Sequence, residues 1–333
     1  MLGIRRREFI TLLGGAAVAG PVGARAQQPN QIRRIGVLMD GVATDPIREA
    51  RVKAFTEQLR KLGWMEGRNV QIEYRWDNGD AALNRTYAVE LVALAPDVIL
   101  SGGTQNLTAL QRLSPAMPIV FIEVSDPLAQ GFVTNMAHPG ANITGFALYE
   151  LTIGGKWLDL LKQMVPATDH VAVMFNPETS PQSKFFMRSI ESAASTLGMS
   201  VGTRPVHSVA EIESAIADLA QKPNGGLVIT TDGFMAVHRK LLAETATRYR
   251  VPVINGNVGS VAEGSLMSYY AEINDQFRQA GVYVDRILKG TRPGDLPVQA
   301  PTKFTLSINL KTARDLGIEV PLSLLLIADE QVE

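Results

Sequence analysis

The chain has 333 residues, a formal net charge of −1 at pH 7 and no cysteine. A charge this close to neutral argues against nucleic acid or an anionic membrane surface as the partner. Without cysteine the chain forms no disulfide and has no thiolate chemistry. The length is typical of two domains of ordinary size.

The first residues have the pattern of an export signal. Residues 5–10 (RRREFI) have the twin-arginine order, a weakly apolar run follows over residues 11–20, and residues 24–26 (ARA) form a small-x-small cleavage pattern. The apolar run is too short to span a bilayer stably. We therefore predict a twin-arginine signal peptide over residues 1–26, cleaved after Ala26, and a periplasmic protein. An ordinary first helix is the alternative. Cleavage would remove four Arg and one Glu and bring the formal charge to −4.

After the signal, short apolar runs alternate with amphipathic stretches. The apolar runs predict strands buried on both faces, and apolar residues three or four apart predict helices. This alternation is typical of a parallel sheet with helices on both faces. The predicted strands lie near 33–39, 69–74, 97–100 and 119–122, and the helices lie near 46–62, 83–94 and from Gln105 onward.

The same order of elements starts again in the second half of the chain. Strands predicted at 170–175, 226–230 and 251–255 follow their counterparts at an offset of about 130 to 136 positions. Residue identity is weakly repeated, whereas order and offset are strongly repeated. The pattern predicts two similar α/β lobes and not one extended sheet.

The last third of the chain adds elements that do not simply close the second lobe. A strand, a helix, a proline-rich linker, a further strand and a last helix are predicted, which suggests that the chain returns to the first lobe through more than one linker. These elements lie at 266–270, 274–288, 293–301, 303–308 and from Asn309 onward.

One stretch joins a predicted ligand loop to a predicted hinge. The buried strand over residues 119–122 ends in a polar loop over residues 123–127. Ligands bind at the carboxyl ends of strands in parallel α/β sheets. Residues 139–145 (PGANITG) then have the turn-rich composition of a crossover between two lobes.

Polar residues end the corresponding strands of both predicted lobes. Each of them alone is more often a cap or a turn former than a ligand contact. If the lobes face each other along these strand ends, however, the loops meet across one cleft and form a polar small-molecule site. The candidate ligand-binding residues are Asp40, Ser101, Gly102, Gly103, Thr104, Ser125, Asp126, Asn176, Thr231, Asp232 and Asn255.

The candidate residues suit a zwitterion. Backbone and hydroxyl donors over residues 101–104, where a glycine turn opens a helix, could bind a carboxylate; a turn without a ligand is the alternative reading. Asp126 or Asp232 could bind an ammonium group, and Asn176 and Asn255 could complete the polar shell.

The sequence lacks the patterns of catalytic, metal and cofactor sites. The four histidines share no metal-ligand spacing. No dinucleotide-binding glycine motif, phosphate-binding loop or nucleophile elbow is present. We therefore predict no cofactor, no metal and no enzymatic activity.

Several segments are characteristic in combination: SDPLAQGFV (125–133), PGANITGF (139–146) and GDLPV (294–298). Further matches follow in order over nearly all of the chain after residue 26. On these segments the chain resembles the ABC transporter substrate-binding protein family with a type I periplasmic-binding fold, in the branch of tryptophan- and other aromatic-amino-acid-binding proteins. The lipid-attachment cysteine of many relatives is absent.

The resemblance implies an α/β fold of two Rossmann-like lobes with parallel sheets, joined by a three-crossover hinge that encloses the ligand. The first lobe would comprise residues 32–142 plus 273–298 and the second residues 147–258 plus 305–333, with the hinge near 140–149, 258–272 and 296–306.

The function implied is that of a periplasmic solute-binding component of an ABC import system. It would act as a monomer, close on an amino acid or related carboxylate, and present the closed form to an ABC permease in the inner membrane. One alternative is a periplasmic ligand-sensing module for a signalling receptor, which would have the same architecture. The other is an exported α/β enzyme, which a bound flavin, nucleotide or metal would support.

Overall fold

The computed structural model describes residues 32–333, so the predicted signal peptide over residues 1–26 lies outside the described residues. Among residues 32–333, no helix combines the length and apolar character needed to cross a membrane.

The first half of the described chain alternates strands and helices as predicted. Its elements are β1 (Arg33–Met39), α1 (Pro46–Lys61), β2 (Val70–Trp76), α2 (Ala81–Ala93), β3 (Val98–Gly102), α3 (Thr104–Leu113), β4 (Ile119–Val124) and β5 (Ile143–Ala147). The strands form a five-stranded sheet in the order β2-β1-β3-β4-β5, in which every pair is parallel.

The second half repeats the alternation and then extends it. Its elements are α4 (Ile153–Met164), β6 (His170–Phe175), α5 (Ser183–Leu197), β7 (Ser200–Pro205), α6 (Val209–Ala220), β8 (Gly225–Ile229), α7 (Gly233–Val237), α8 (Arg239–Arg248), β9 (Val253–Asn255), β10 (Met267–Ala271), α9 (Asn274–Leu288), a 3-10 turn (Pro293–Asp295), β11 (Phe304–Asn309), α10 (Leu310–Leu316), α11 (Leu322–Ile327) and β12 (Glu330–Val332).

The strands of this half form a seven-stranded sheet in the order β12-β11-β10-β9-β8-β6-β7. All of its pairs are parallel except β10 with β11, which is antiparallel. The antiparallel pair forms because the chain leaves this sheet after β10, passes through α9, and re-enters it from the other lobe as β11.

The chain crosses between the two lobes three times. It crosses over residues 148–152 after β5, over 272–273 after β10, and over 300–303 before β11. α9 lies in the first lobe, where it packs on α1 and on β3, β4 and β5. The predicted fold class, two α/β lobes with mostly parallel sheets joined by three crossovers, is confirmed.

Two of the segments predicted as hinge contain strands of the sheets. β5 lies within residues 140–149 and pairs with β4, and β10 lies within residues 258–272 and pairs with β9. The polypeptide therefore leaves the first sheet only after Ala147, because residues 143–147 are fully buried and continue the sheet.

The β4–β5 pair brings two backbones unusually close together. Gly145 pairs with Phe121, and a Cβ atom on Gly145 would lie 2.0 Å from the Phe121 carbonyl oxygen. The register of the pair shifts between Phe121 and Val124. Glu123 lies in this shift and has a φ of +58°, which is uncommon for a residue with a side chain.

Apolar packing continues from one lobe to the other. A cluster of buried apolar side chains that includes Leu38, Ile99 and Phe121 lies in the first lobe. A second such cluster lies in the second lobe. The largest cluster contains Phe55 of α1 and Trp157 of α4, and so extends through both lobes. The hinge side of the molecule is thus packed, and the strand ends face a cleft.

Candidate functional site

A cleft lies between the two lobes, where the carboxyl ends of both sheets' strands meet. Its volume is about 700 Å³, counting the part that is open to solvent. The loops after β1, β3, β8 and β9 line it together with the first turns of α1 and α3.

Buried ion pairs form the floor of the cleft in the first lobe. Arg48 Nη1 lies 2.6 Å from Glu123 Oε2 and 2.8 Å from Asp40 Oδ1, and Arg51 Nη1 lies 2.7 Å from Glu123 Oε1. Burial raises the pKa of Asp40 to about 7, although the positive charge of Arg48 opposes the shift. Glu123 and Asp77 raise it further.

Asp77, after β2, orients a glutamine that lines the cleft. Asp77 is fully buried and accepts hydrogen bonds from the Gly41 and Gly79 N–H groups and from Gln105 Nε2 at 2.6 Å. Burial raises its pKa to about 6, and the two backbone donors oppose this. Because an ionised carboxylate only accepts, the amide nitrogen of Gln105 faces Asp77 and its Oε1 atom faces away.

The N-terminus of α3 opens into the same cleft. α3 begins at Thr104, after Gly103, whose φ of +93° is readily adopted only by glycine. No side chain of the described residues caps this end. The first-turn N–H groups of a helix have no partner within the helix and carry a partial positive charge. This end can therefore bind an anion.

The second lobe contributes Asp232, which caps α7. Its carboxylate accepts hydrogen bonds from the N–H groups of Asn176 (2.6 Å), Phe234 (2.7 Å) and Met235 (3.3 Å) and from Thr179 Oγ1 (2.6 Å). Burial raises its pKa to about 6, and these bonds oppose the shift. Three of the four bonds go to Oδ1 and one to Oδ2, so only Oδ2 keeps capacity for a ligand ammonium group.

Gln182, just before α5, presents an oxygen from the second lobe. Its Nε2 atom donates to the Thr231 carbonyl oxygen at 3.0 Å. Because a carbonyl oxygen only accepts, the amide is oriented with Oε1 on the opposite side. Gln182 is buried and lines the cleft.

The sequence-predicted residues divide into two groups in the structure. Asp40, Gly103, Thr104, Thr231 and Asp232 line the cleft. The others do not line it: Ser101, Gly102, Ser125, Asn176 and Asn255 are buried beside it, and Asp126 lines a separate cavity at the hinge.

The buried residues of the second group hold the loops of the cleft. Asn255 accepts from the Asn257 backbone N–H at 2.9 Å, and Asn257 in turn accepts from the Asp232 N–H at 3.1 Å. The Ser125 N–H donates to Thr104 Oγ1 at 3.3 Å. These contacts shape the cleft without entering it.

Sequence reasoning missed Arg48, Arg51, Gln105 and Gln182. A signal for the two arginines was present, because positions 48, 51, 55 and 59 lie on one face of α1 and all are buried. Charged residues on the buried face of a helix require partners, which here are Asp40 and Glu123. The two glutamines had no comparable signal in sequence.

An apolar wall completes the cleft. It is formed by Ile47 of α1, by Leu148 and Tyr149 of the first crossover, and by Val258 and Ile273. The Tyr149 hydroxyl donates to the Gly256 carbonyl oxygen at 2.7 Å, which fixes the ring against the second lobe. The cleft thus combines charged and polar groups with apolar side chains.

The lobes also touch each other across the mouth of the cleft. Arg239 Nη1 of α8 lies 2.5 Å from Asp45 Oδ2, and Asp45 caps α1 in the other lobe. A Cβ atom on Gly79 would lie 3.0 Å from the Gly233 carbonyl oxygen. These contacts narrow the opening of the cleft.

The described fold and cleft are those of a solute-binding protein, and the comparison with families agrees. The model of the ABC transporter substrate binding proteins matches residues 36–332. The chain belongs to the ABC transporter substrate-binding protein family. The family and the structural relatives are solute-binding proteins and not enzymes.

Three relatives illustrate the similarity. A tyrosine-binding protein of Clostridioides difficile is 26% identical over 267 residues, which are 80% of this chain and 76% of the relative. A Streptococcus pneumonia ABC domain in complex with L-Trp has the same fold, with a TM-score of 0.81 at 23% identity over 91% of this chain and all of that one. The ligand-free, open structure of a substrate binding protein from Clostridium difficile has a TM-score of 0.62 at 25% identity. The match covers 91% of this chain and 99% of that one.

Proposed function

We propose that this protein is the periplasmic solute-binding component of an ABC import system and that it binds an amino acid or a related carboxylate between its lobes. The observation that carries the proposal is the uncapped N-terminus of α3, which opens into a cleft that is lined by both polar and apolar residues. The carboxylate of the ligand binds the first-turn N–H groups of Thr104 and Gln105. That relatives bind L-Trp and tyrosine supports a ligand of this class.

The apolar wall takes the side chain of the ligand. Ile47, Leu148, Tyr149, Val258 and Ile273 line that side of the cleft. Burial of apolar surface contributes roughly 25 cal/mol per Å², so a large aliphatic or aromatic side chain adds more affinity than a small polar one. A hydrophobic amino acid is the favoured ligand.

Binding is coupled to closure of the lobes. The three crossovers allow a hinge motion, and the Asp45–Arg239 ion pair forms only when the lobes approach each other. The higher TM-score with the L-Trp complex than with the ligand-free, open structure supports a closed arrangement here. The closed form is what the ABC permease of the inner membrane would recognise.

Export follows from the twin-arginine pattern at residues 5–10. The protein would be found in the periplasmic fraction, and replacement of Arg5, Arg6 and Arg7 by lysine would retain it in the cytoplasm. Cell fractionation of the two forms measures this. Equal periplasmic amounts of both would contradict the twin-arginine route and leave the ligand proposal untouched.

A thermal-shift screen tests the ligand class. The purified protein is heated with each of the twenty amino acids, with aromatic acids and with sugars. One or more hydrophobic amino acids should raise the melting temperature, because a ligand that binds only the folded state stabilises it. A shift with sugars alone, or with none of these compounds, would overturn the proposal.

A further inference from the structure

Three buried acceptor oxygens of the cleft lack a hydrogen-bond partner. They are Asp40 Oδ1, Gln105 Oε1 and Gln182 Oε1, and none is bonded within residues 32–333. The three side chains are only 8%, 7% and 4% exposed and all line the cleft. A buried acceptor without a partner costs free energy, so the arrangement is favourable only if a donor enters.

The orientation of each oxygen follows from its neighbours. Gln105 Nε2 donates to Asp77 and Gln182 Nε2 donates to the Thr231 carbonyl oxygen, so neither amide can be turned over without losing a bond. Asp40 Oδ1 lies 2.8 Å from Arg48 Nη1 in an ion pair that lacks hydrogen-bond geometry. All three therefore keep acceptor capacity for a donor, Asp40 Oδ1 in addition to its ion pair with Arg48.

The three side chains converge on one loop of the second lobe. A Cβ atom on Gly233 would lie 3.5 Å from Asp40 Oδ2 and 3.7 Å from Gln105 Nε2. Gln182 is bonded to Thr231, two residues before Gly233. Side chains of both lobes thus surround the same loop, residues 231–233.

The charge around this point is negative. Arg48 and Arg51 carry two positive charges, whereas Asp40, Asp77 and Glu123 carry three negative charges when ionised. An ammonium group offers three donors and one positive charge, and it has no acceptor. It therefore matches both the acceptor set and the excess charge.

We propose that Asp40, Gln105 and Gln182 bind the ammonium group of the ligand and that this group ties the two lobes together. The inference rests on the proposed function, since it names the part of the amino acid that these residues recognise. Gln105 belongs to the first turn of α3, so its N–H group meets the carboxylate while its side chain meets the ammonium on the same carbon atom. Recognition is thus selective for free α-amino acids over simple carboxylic acids.

Calorimetry with matched pairs of probes tests the selectivity. L-Tyrosine, L-tryptophan and L-leucine are compared with 3-(4-hydroxyphenyl)propanoate, indole-3-propanoate and 4-methylpentanoate, which lack only the amino group. Each amino acid that binds should do so at least about tenfold more tightly than its partner. Equal affinity within a pair overturns the inference and leaves the proposed function standing. No binding by any of the six, together with no thermal shift from any of the twenty amino acids or aromatic acids, overturns both.

Variants separate the ammonium contact from general damage to the cleft. Gln182→Leu should weaken L-tyrosine binding by about tenfold and change 3-(4-hydroxyphenyl)propanoate binding by less than about twofold. Gln276→Leu is the matched control, because Gln276 is likewise buried (7% exposed, against 4% for Gln182) and has an unbonded Oε1 but does not line the cleft. It should change neither affinity.

Two results would overturn the assignment. One is that Gln182→Leu lowers the affinities for L-tyrosine and 3-(4-hydroxyphenyl)propanoate equally. The other is that it lowers neither affinity. If Gln182→Leu does not fold, as judged by circular dichroism, Asp40→Asn provides the same comparison with almost no change of shape, and the same two results decide it.

Discussion

Individual carboxylates in this protein differ in how many of their lone pairs the protein itself occupies. Asp232 accepts four hydrogen bonds and caps α7, whereas Asp40 pairs with Arg48 and accepts no hydrogen bond at Oδ1. Both are buried, and both have a raised pKa. Proximity to the cleft therefore does not decide which carboxylate meets the ligand; free lone pairs do.

Loss of the Asp232 carboxylate should mainly destabilise the fold. Asp232→Ala leaves four donors without their acceptor, and we expect a loss of about 2 to 4 kcal/mol in the free energy of unfolding. Asp126→Ala is the control, because Asp126 caps only the exposed Ala129 N–H, and it should cost less than about 1 kcal/mol. Urea denaturation measures both, and similar small losses would contradict the structural role of Asp232.

The pKa of Asp40 predicts how ligand affinity depends on pH. A bound ammonium group favours the ionised form, so binding should strengthen as pH rises through the pKa of about 7. Arg48 and Arg51 oppose the raised pKa, and Glu123 and Asp77 support it. If only ionised Asp40 binds, affinity for L-tyrosine should be about tenfold higher at pH 8 than at pH 6.

Calorimetry at both pH values measures this dependence, and Asp40→Asn should abolish it. A pH-independent affinity in the wild type would refute the proposed role of Asp40.

The raised pKa of Asp40 also affects the stability of the ligand-free protein. Because this pKa lies above the ordinary value of 3.8, ionisation of Asp40 lowers the free energy of unfolding as pH rises from about 4 to 7.

At the level of elements, the site depends on how β4, β5 and the helix starts are placed. The β4–β5 backbones approach so closely that only glycine fits at position 145. The shift of register that follows places Glu123 where it can pair with both Arg48 and Arg51 of α1. Two strands and one helix thereby hold the charged floor of the cleft.

Gly145→Ala should be severely destabilising. The added Cβ would meet the backbone nitrogen and oxygen of Phe121 at 2.6 and 2.0 Å, and backbone atoms cannot turn away as a flexible side chain can. We expect a loss of at least about 3 kcal/mol in the free energy of unfolding. Gly202→Ala in β7, where only the end of Arg204 lies within 4 Å, should cost less than about 1 kcal/mol. Equal thermal stability of the two variants would contradict this account of β5.

The sequence predicts where strands and helices lie better than it predicts which side chains face the cleft. The buried runs at β1, β3 and β4 and their repetition in the second half identify strands of covered sheets, because an apolar run must be covered on both faces. Loop geometry is different: Asp126 follows a strand as predicted, but with a φ of +36° it lines the hinge cavity and not the cleft.

The charged floor also lay beyond sequence reasoning. Arg48 and Glu123 are 75 positions apart, and their pairing depends on how the fold brings α1 and the end of β4 together. The free oxygens of Gln105 and Gln182 depend on which neighbour accepts from each amide nitrogen, and those neighbours, Asp77 and Thr231, are distant in sequence.

At the scale of the whole molecule, three crossovers and an ion pair link two lobes around one cleft. Asp45 and Arg239 come from opposite lobes and are mostly buried. A ligand that contacts both lobes stabilises the closed form by its difference in affinity for the closed and open forms. An ammonium group held by Gln105 and Gln182 would have this effect, whereas a ligand that contacts one lobe would not.

The central claim, closure of the lobes on an amino acid, is tested most directly by small-angle X-ray scattering during titration with the amino acid that gives the largest thermal shift. The account predicts a smaller radius of gyration at saturation, and no decrease with the matched acid that lacks the amino group. A radius that stays constant while calorimetry shows the amino acid bound would contradict it.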